Sequence, residues 1–287
     1  MSLPIRLALG LVLSLGIALV ACRQRSLTRS GVAGAVLTGT LTLGCGGWAW
    51  GLALIAFFVS SNLFTRWRRE RKATLAGTFA KGGRRDLFQA LANGGVGTIL
   101  AVLAAALPRP AWAAAFVGAL AAATADTWAT EVGVLSPTPP RLITTGKQVP
   151  AGTSGGITLQ GNLAAAGGAL FLGTCFYLLT LAESAIGAAM EVQAGPGSHS
   201  VTPASGWPVV PLALLGGLAG SALDSLLGAT LQGIYRCPRC GKETEHREHC
   251  GGPAMRVRGR PWLTNDGVNF LATLSGAVVA GATSLLL

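Results

Sequence analysis

Four acidic side chains occur in stretches that are otherwise almost wholly apolar. Asp126 and Glu131 lie in "ADTWATEVG", Asp224 in "LDSLLGATLQ" and Asp266 in "LTNDGVNF". A carboxylate within a membrane costs roughly 2.5–3.5 kcal/mol on insertion scales, so such residues usually mark a metal, a partner or a pathway. Mg²⁺ binds through one or two carboxylates together with substrate phosphates. We therefore predict Asp126, Asp224 and Asp266 as magnesium ligands. For Asp126 and Glu131, the alternative is an interhelical ion pair.

Asparagine side chains interrupt two apolar stretches of the same kind. Asn93 lies in "ALANGGVGT", where close helix packing would explain the glycines but not the amide. Asn265 and Asn269 are four positions apart, so they share one face of a helix. We expect Asn93 to take part in catalysis and the other two amides to bind a ligand. Asp266, between them, could alternatively cap the helix that starts there.

A glycine-rich loop, "TTGKQVPAGTSGGIT", has the composition of an anion-binding cradle. Glycines let backbone N–H groups approach phosphate oxygens, and a helix starting near Ile157 would point its positive end at the ligand. It is not a Walker A loop, because the lysine precedes the glycines and neither GKS nor GKT occurs. A flexible connector is the alternative. The residues expected to bind phosphate are Thr144, Thr145, Lys147, Gly152, Thr153, Ser154, Gly155 and Gly156.

A basic cluster precedes the stretch that contains Asn93. Lys81, Arg84 and Arg85 lie in "KGGRRD", at the start of that apolar stretch. Such a cluster suits a phosphate group at the level of the lipid headgroups. We predict that these three residues bind the phosphate of a lipid substrate.

A cysteine-rich segment, "CPRCGKETEHREHC", raises a separate question. Cys237 and Cys240 have Cys-x2-Cys spacing, and His246, His249 and Cys250 follow, so four ligands are available from five candidates. Thiolates and imidazole at this spacing fit a tetrahedral structural Zn²⁺, and a basic, reducing location argues against disulfides. The alternative is a reduced hairpin without metal. The remaining cysteines, in apolar stretches, are most simply packing residues.

The elements that must position these residues are membrane helices. Of the 287 residues, 51% are hydrophobic and 11% charged, which predicts an all-α, polytopic transmembrane bundle. Between its last two spans, residues 232–262 are expected to form a small cytoplasmic loop that resembles a zinc-binding segment. Stretches of about 20 apolar residues recur, each long enough to cross a bilayer about 30 Å thick. About eight spans are predicted, at 3–22, 30–46, 47–64, 87–107, 110–131, 157–182, 208–231 and 263–286.

The basic residues fix the predicted orientation. The net charge is +11, but nearly all 22 Lys and Arg residues lie in alternate loops, whereas 187–207 has none. This pattern fits the positive-inside rule with both termini on the far side and makes nucleic acid an unlikely partner. A competing prediction, a lipoprotein signal ending in "LVAC", would place the first basic loop outside. The predicted site residues then gather at the cytoplasmic boundary, where carboxylates, cations and a glycine loop fit phosphoryl transfer.

Five motifs together resemble the phytyl-phosphate kinase family: "ANGGV", "ADTWATEVG", "RLITTGKQVPAGTSGGIT", "LDSLLGATLQ" and "LTNDGVNF". The resemblance covers roughly 30–287. It implies a CTP-dependent membrane kinase that converts phytyl monophosphate into the diphosphate for tocopherol and related prenyl-lipid synthesis. The family pattern also implies that His249, paired with Cys250, is the fourth zinc ligand beside Cys237 and Cys240.

The expected reaction is therefore Mg²⁺-dependent transfer from a nucleotide, CTP by resemblance, to a prenyl monophosphate. The chain is expected to be a single membrane kinase domain over 1–287. Glu131 is expected to orient a ligand or a metal-bound water. A lipid-alcohol kinase or a cytidylyltransferase would use much the same features. A transporter of an anionic lipid is the non-enzymatic alternative, although its acids should lie near the membrane midplane.

Overall fold

The computed structural model describes residues 2–75, 84–194 and 208–287. Within these ranges the chain forms nine helices. They are α1 Leu3–Arg23, α2 Arg29–Gly46, α3 Trp48–Arg66, α4 Arg69–Leu75, α5 Leu87–Ala106, α6 Pro110–Gly133, α7 Leu159–Ala194, α8 Val209–Thr230 and α9 Asn265–Ser284.

α6 is the helix around which the bundle is built. It packs against α3, α5, α7, α8 and α9, and every residue from Ala113 to Ala125 is buried. Most of these residues are alanine, and small side chains let neighbouring helices approach closely. A Cβ added at Gly118 would collide with the carbonyl oxygen of Gly276 in α9, and Gly216 of α8 lies against both glycines. Helices α6, α8 and α9 thus form a tightly packed centre.

Six helices in the described ranges are long and apolar enough to cross a membrane: α1, α3, α5, α7, α8 and α9. This confirms the predicted helical membrane bundle. The two other long helices, α2 and α6, match the second and fifth predicted spans, so the count of eight stays a prediction. α2 and α3 are separate helices joined at Gly47, whose φ of 93° suits glycine. α7 continues well past the predicted end at 182.

The starts of α5 and α9 are held by caps. The Asp86 carboxylate accepts a hydrogen bond from Gln89 N–H (3.0 Å), and the Gln89 side chain accepts one from Asp86 N–H, which forms a capping box. Thr264 accepts a hydrogen bond from Gly267 N–H at the start of α9. The cap of α9 is therefore Thr264, and the alternative assigned to Asp266 is wrong because Asp266 lies inside the first turn.

Short strands form in two connecting segments. β1 (Arg141–Leu142) pairs with β2 (Gly156–Ile157) and closes the glycine-rich loop. The 232–262 loop contains a three-stranded antiparallel sheet in the order β4 (Glu243–Thr244), β3 (Ile234–Arg236), β7 (Met255–Arg258). A hairpin of β5 (Glu248–His249) and β6 (Gly252–Pro253) completes this loop. The bundle is helical as predicted, and these strands occur where the apolar periodicity stops.

Candidate active site

A cavity of about 630 Å³ lies at one end of the bundle. It is bounded by the start of α5, the ends of α6 and α8, the start of α9, the glycine-rich loop and the 232–262 loop. Most of the predicted site residues therefore meet in one place. Those that line the cavity are Arg84, Arg85, Asn93, Asp126, Glu131, Gly152, Thr153, Ser154, Gly155, Gly156, Asp224, Asn265 and Asn269.

Asp126 and Asp224 form the acidic centre of this cavity. Their carboxyl groups lie close enough across α6 and α8 to interact directly, and Oδ2 of Asp224 is buried with no hydrogen-bond partner among the described residues. Two contacting carboxylates repel each other, and an unsatisfied buried oxygen is costly, so a cation would relieve both problems. This donor set fits Mg²⁺ held by two carboxylates, with phosphates and water as its other ligands.

Asp266 is not part of the cavity lining, although Asn265 and Asn269 are. The structure therefore does not bring Asp266 together with Asp126 and Asp224, the other two predicted magnesium ligands. The reason is helical geometry: Asn265 and Asn269 share the face of α9 that points to the cavity, whereas the residue after Asn265 is turned away by about 100°.

Glu131 forms an ion pair with Lys72, a residue that is not among the predicted site residues. Lys72 Nζ lies 2.6 Å from Glu131 Oε2 and also donates a hydrogen bond to the carbonyl of Phe64 (2.5 Å). The side chains are only 9% and 19% exposed. Glu131 therefore matches the interhelical ion pair rather than a group left available for a metal-bound water. Lys72 lies in a run of basic residues that would ordinarily be exposed. Its sequence context therefore did not predict that this lysine points into the protein.

Glu245 is an acidic cavity residue that the sequence did not indicate. It belongs to the 232–262 loop, and the Ser154 hydroxyl donates a hydrogen bond to Glu245 Oε1 (2.8 Å) and lies 3.2 Å from Gln232 Oε1. Glu245 is close enough to Asp126 and Asp224 to interact with both electrostatically. Nε2 of the buried Gln232 has no hydrogen-bond partner in the described ranges. A ligand rich in oxygen acceptors would satisfy this donor.

The glycine-rich loop divides into two parts. Residues 151–158 line the cavity, and Gly155 has a φ of 81° and lies so close to Ala229 of α8 that a Cβ would collide with its backbone. Thr144, Thr145 and Lys147 instead form an exposed turn outside the cavity lining, where Arg141 donates a hydrogen bond to the carbonyl of Gly146 (2.9 Å). The strand pair β1–β2 separates this turn from the cavity wall. Only the second part of the predicted cradle faces the cavity.

Arg258 holds the two loops against α8. Its Nη1 donates hydrogen bonds to the carbonyls of Gly228 (2.8 Å) and Ala229 (2.7 Å), and its Nη2 donates one to the carbonyl of Ser154 (3.1 Å). The last carbonyls of a helix lack intrahelical partners, so one guanidinium satisfies several acceptors at once. Partial burial lowers the pKa of Arg258 below its ordinary value.

Arg85 is a second cation of the cavity, and Nη1 of its guanidinium is buried. Its N–H donates a hydrogen bond to the carbonyl of Ser26 (2.8 Å), and its carbonyl accepts one from Thr28 N–H (3.0 Å). Nη1 of Arg85 is buried without a hydrogen-bond partner in the described part of the chain. Burial lowers the pKa of Arg85 to about 10, opposed by the charge of Glu131, so the guanidinium stays protonated at neutral pH.

The other predicted polar residues at this end differ in their placement. Arg84 is exposed and donates a hydrogen bond to the carbonyl of Leu27 (3.1 Å). Asn93 donates one to the carbonyl of Gln89 (2.9 Å), which leaves its side-chain oxygen available to the cavity. Lys81 lies outside the described residues.

The predicted zinc ligands lie together. The ligand atoms of Cys237, Cys240, His249 and Cys250 are within 4.8 Å of one another, which is the set predicted from the sequence. A hydrogen bond from the backbone of Cys240 lowers the pKa of the Cys237 thiol to about 6, whereas a hydrogen bond with the Cys240 side chain raises that of Cys250. Clustered thiols cannot all ionise without a cation, so this donor set fits a tetrahedral Zn²⁺.

Comparison with known proteins supports the membrane architecture. Protein PGR of Arabidopsis thaliana is 30% identical over 294 residues, covering 98% of this chain and 96% of PGR. The uncharacterised membrane protein MJ0933 of Methanocaldococcus jannaschii is 30% identical over 278 residues, covering 96% of this chain and 93% of MJ0933. Protein VTE6, a chloroplast protein of Arabidopsis thaliana, is 26% identical over 261 residues, covering 88% of this chain and 64% of VTE6. No solved structure matches the chain.

A protein-family profile also matches the chain. The profile described as "Integral membrane protein DUF92" matches residues 12–277, which is nearly the whole chain and includes every element of the cavity. The protein therefore belongs to the DUF92 family of integral membrane proteins.

Proposed function

We propose that this protein transfers a phosphoryl group from a nucleoside triphosphate to a prenyl monophosphate, giving the diphosphate. The observation that carries the proposal is the contacting pair Asp126 and Asp224, with an unsatisfied buried oxygen, in a cavity that also contains a glycine-lined loop and a buried arginine. Phosphoryl transfer needs mainly positioning and charge neutralisation, and these groups supply both.

Each group has a role in this proposal. Asp126 and Asp224 hold Mg²⁺, which when bound neutralises the phosphates. Residues 152–156 present backbone N–H groups to the nucleotide phosphates, while Asn93, Asn265 and Asn269 orient the ligands. Arg85, with Arg84 and Lys81, binds the phosphate of the lipid substrate. That phosphate is already nucleophilic, so no strong general base is required.

The substrate and the donor rest on the sequence motifs. Resemblance to phytyl-phosphate kinases supports phytyl monophosphate as acceptor and CTP as donor, and the similarity to VTE6, a chloroplast protein, agrees with this substrate class. The distribution of basic loops supports a cytoplasmic location for the cavity end of the bundle, with both termini opposite if all eight long helices cross. A Zn²⁺ held by Cys237, Cys240, His249 and Cys250 would stabilise the loop that carries Glu245.

The first test is catalysis by the purified protein in detergent. We expect Mg²⁺-dependent formation of phytyl diphosphate from phytyl monophosphate, fastest with CTP among CTP, ATP, GTP and UTP. Asp126→Asn and Asp224→Asn should each lower turnover by about 10²-fold or more, because a charge-stabilising group is removed. Asp266→Asn should keep most of the activity, since Asp266 does not line the cavity.

Other products would contradict the proposal in distinct ways. A CDP-linked lipid would indicate a cytidylyltransferase, and phosphorylation of phytol itself would indicate a lipid-alcohol kinase. Absence of any product with all four nucleotides, from a monodisperse protein that binds phytyl monophosphate, would favour a transporter. Full activity of Asp126→Asn would refute the assigned acidic centre.

A further inference from the structure

A second, almost wholly apolar cavity adjoins the first. Its volume is about 80 Å³, and it lies between α1, α2, α3 and α5. Apolar side chains supply most of its wall, among them Leu13, Ile17, Leu54, Phe57 and Phe58. Arg85, Gln89 and Asn93 line both cavities. These three residues, one cation and two amides, therefore lie between the apolar cavity and the polar one.

Arg85 occupies the junction in a defined position. Its guanidinium lies 5.6 Å from the ring centroid of Phe57 and 5.8 Å from that of Phe58, and both rings line the apolar cavity. Backbone hydrogen bonds with Ser26 and Thr28 hold the residue in place. A group that brought an anionic oxygen to the unsatisfied Nη1 would complete a charge-assisted hydrogen bond.

One wall of the apolar cavity also forms part of the outer surface of the bundle. α1 and α3 both pack against α2, and Leu13 of α1, which lines the cavity, is 40% exposed. This exposed flank is the surface that faces lipid in a membrane protein. A molecule in the cavity can therefore have a head at Arg85 and a chain that continues towards the bilayer.

We propose that this cavity binds the beginning of the apolar chain of a single-chain lipid monophosphate whose phosphate pairs with Arg85. The inference rests on the proposed function and deepens it by assigning the place of the substrate's chain. The small volume holds the first chain segment, and the remainder leaves beside α1. A neutral lipid would leave Nη1 of Arg85 unpaired, and a nucleotide would gain nothing from apolar walls.

The test uses a photoreactive analogue of phytyl monophosphate with a diazirine in the chain segment next to the phosphate. After irradiation of the full-length protein in detergent, without nucleotide, the labelled peptides are identified by mass spectrometry. We expect labelling in α1, α2, α3 and α5, competed by phytyl monophosphate and about tenfold less well by phytol, which lacks the charge. Labelling confined to other helices, or equal competition by phytol, would overturn the inference.

A pair of tryptophan variants tests the shape of the cavity. Ile17→Trp replaces an aliphatic side chain in the cavity wall with a bulkier aromatic one. Leu15→Trp, on the same helix but outside the lining, is the matched control. We expect Ile17→Trp to weaken phytyl monophosphate binding about tenfold, since the chain loses the burial of about two CH₂ groups, and Leu15→Trp to leave binding unchanged. Equal effects of both variants would contradict the proposed site.

Two further measurements keep the result interpretable. Gly94→Ala is a milder filling of the same cavity, because its Cβ would meet Leu54 at an ordinary 3.6 Å. It should also weaken binding even if Ile17→Trp fails to fold. Specific labelling with no diphosphate product would refute the kinase activity and retain the chain site. Diphosphate formation with labelling in other helices would support the kinase activity and refute the chain site.

Discussion

At the scale of residues, the acidic centre is completed by a side chain from outside the membrane bundle. Glu245 reaches the cavity from the 232–262 loop and accepts a hydrogen bond from Ser154 of the glycine-rich loop. It thus connects the loop proposed to hold nucleotide phosphates with the two aspartates proposed to hold Mg²⁺. If Mg²⁺ binds as proposed, a carboxylate in this position would orient the donors around the metal.

Glu245→Gln should lower turnover about 10- to 100-fold, as is common when an outer partner of a metal site is lost. The loss should be seen as a higher Mg²⁺ concentration for half-maximal activity in a magnesium titration. Glu243→Gln is the matched control, because Glu243 lies two positions away and pairs with Arg236 at the surface (2.9 Å). Equal losses of turnover from the two variants would show that the net charge of the loop matters and that the position of the Glu245 carboxylate does not.

The Lys72–Glu131 pair makes a different prediction, about stability. Lys72→Met would leave the carboxylate of Glu131 buried and unpaired, at a cost of about 3–5 kcal/mol. The double variant Lys72→Met with Glu131→Leu should recover much of this loss, because no unpaired charge remains. Thermal unfolding of the wild type, of Lys72→Met, of Glu131→Leu and of the double variant in detergent measures the coupling. Additive effects in this cycle would contradict a buried pair.

Some of these residues were predictable from sequence and some were not. Asp126, Asp224 and Asn93 were, because a polar side chain in an apolar stretch needs a partner and helix order places all three at one boundary. Glu245 and Lys72 were not, because both lie in polar segments where acids and bases are ordinary. In the fold, Glu245 contacts Ser154 and Lys72 contacts the carbonyl of Phe64, and neither tertiary contact is visible in the sequence. Thr144 and Lys147 were predicted to bind phosphate but lie outside the cavity lining, because the composition of a loop does not show where it folds back.

At the scale of elements, the closest contact is the glycine crossing of α6, α8 and α9. Gly118→Ala should destabilise the protein by about 1–3 kcal/mol, because the new Cβ collides with the carbonyl of Gly276 and the helices must separate. Gly16→Ala in α1 is the control, since its Cβ would meet no atom within 4 Å among the described residues. It should be neutral or slightly stabilising. Melting temperatures in detergent compare the two, and equal values would refute this close contact.

The helices themselves were largely predictable, and the order of their packing was not. Apolar stretches gave the eight long helices to within a few residues at most ends. Nothing in the alanine-rich sequence of α6 distinguishes a helix that faces lipid from one enclosed by others, since alanine is tolerated in both places. The position of α6 at the centre follows from contacts between glycines far apart in sequence.

At the scale of the whole molecule, the Cys/His cluster and the cavity belong to one connected unit. The 232–262 loop carries Cys237, Cys240, His249 and Cys250 together with Glu245 and Arg258. We expect the purified protein to contain one zinc ion, and Cys240→Ser to lose it. Hydrogen exchange should then rise in 232–262 and around Ser154, with α7 unchanged, and turnover should fall. A metal-free protein with full activity and unchanged exchange would contradict this link.

The enclosure of α6 has a consequence for how the polypeptide enters the membrane. α6 is not among the six described helices that are long and apolar enough to cross a membrane, and α7, α8 and α9, which pack against it, are synthesised later. A nascent chain that ends before α9 therefore has a weakly apolar helix carrying Asp126 and Glu131 with no protein around part of its surface. We therefore expect stable insertion of α6 to depend on α9, so that the centre of the bundle assembles only after α9 has been synthesised.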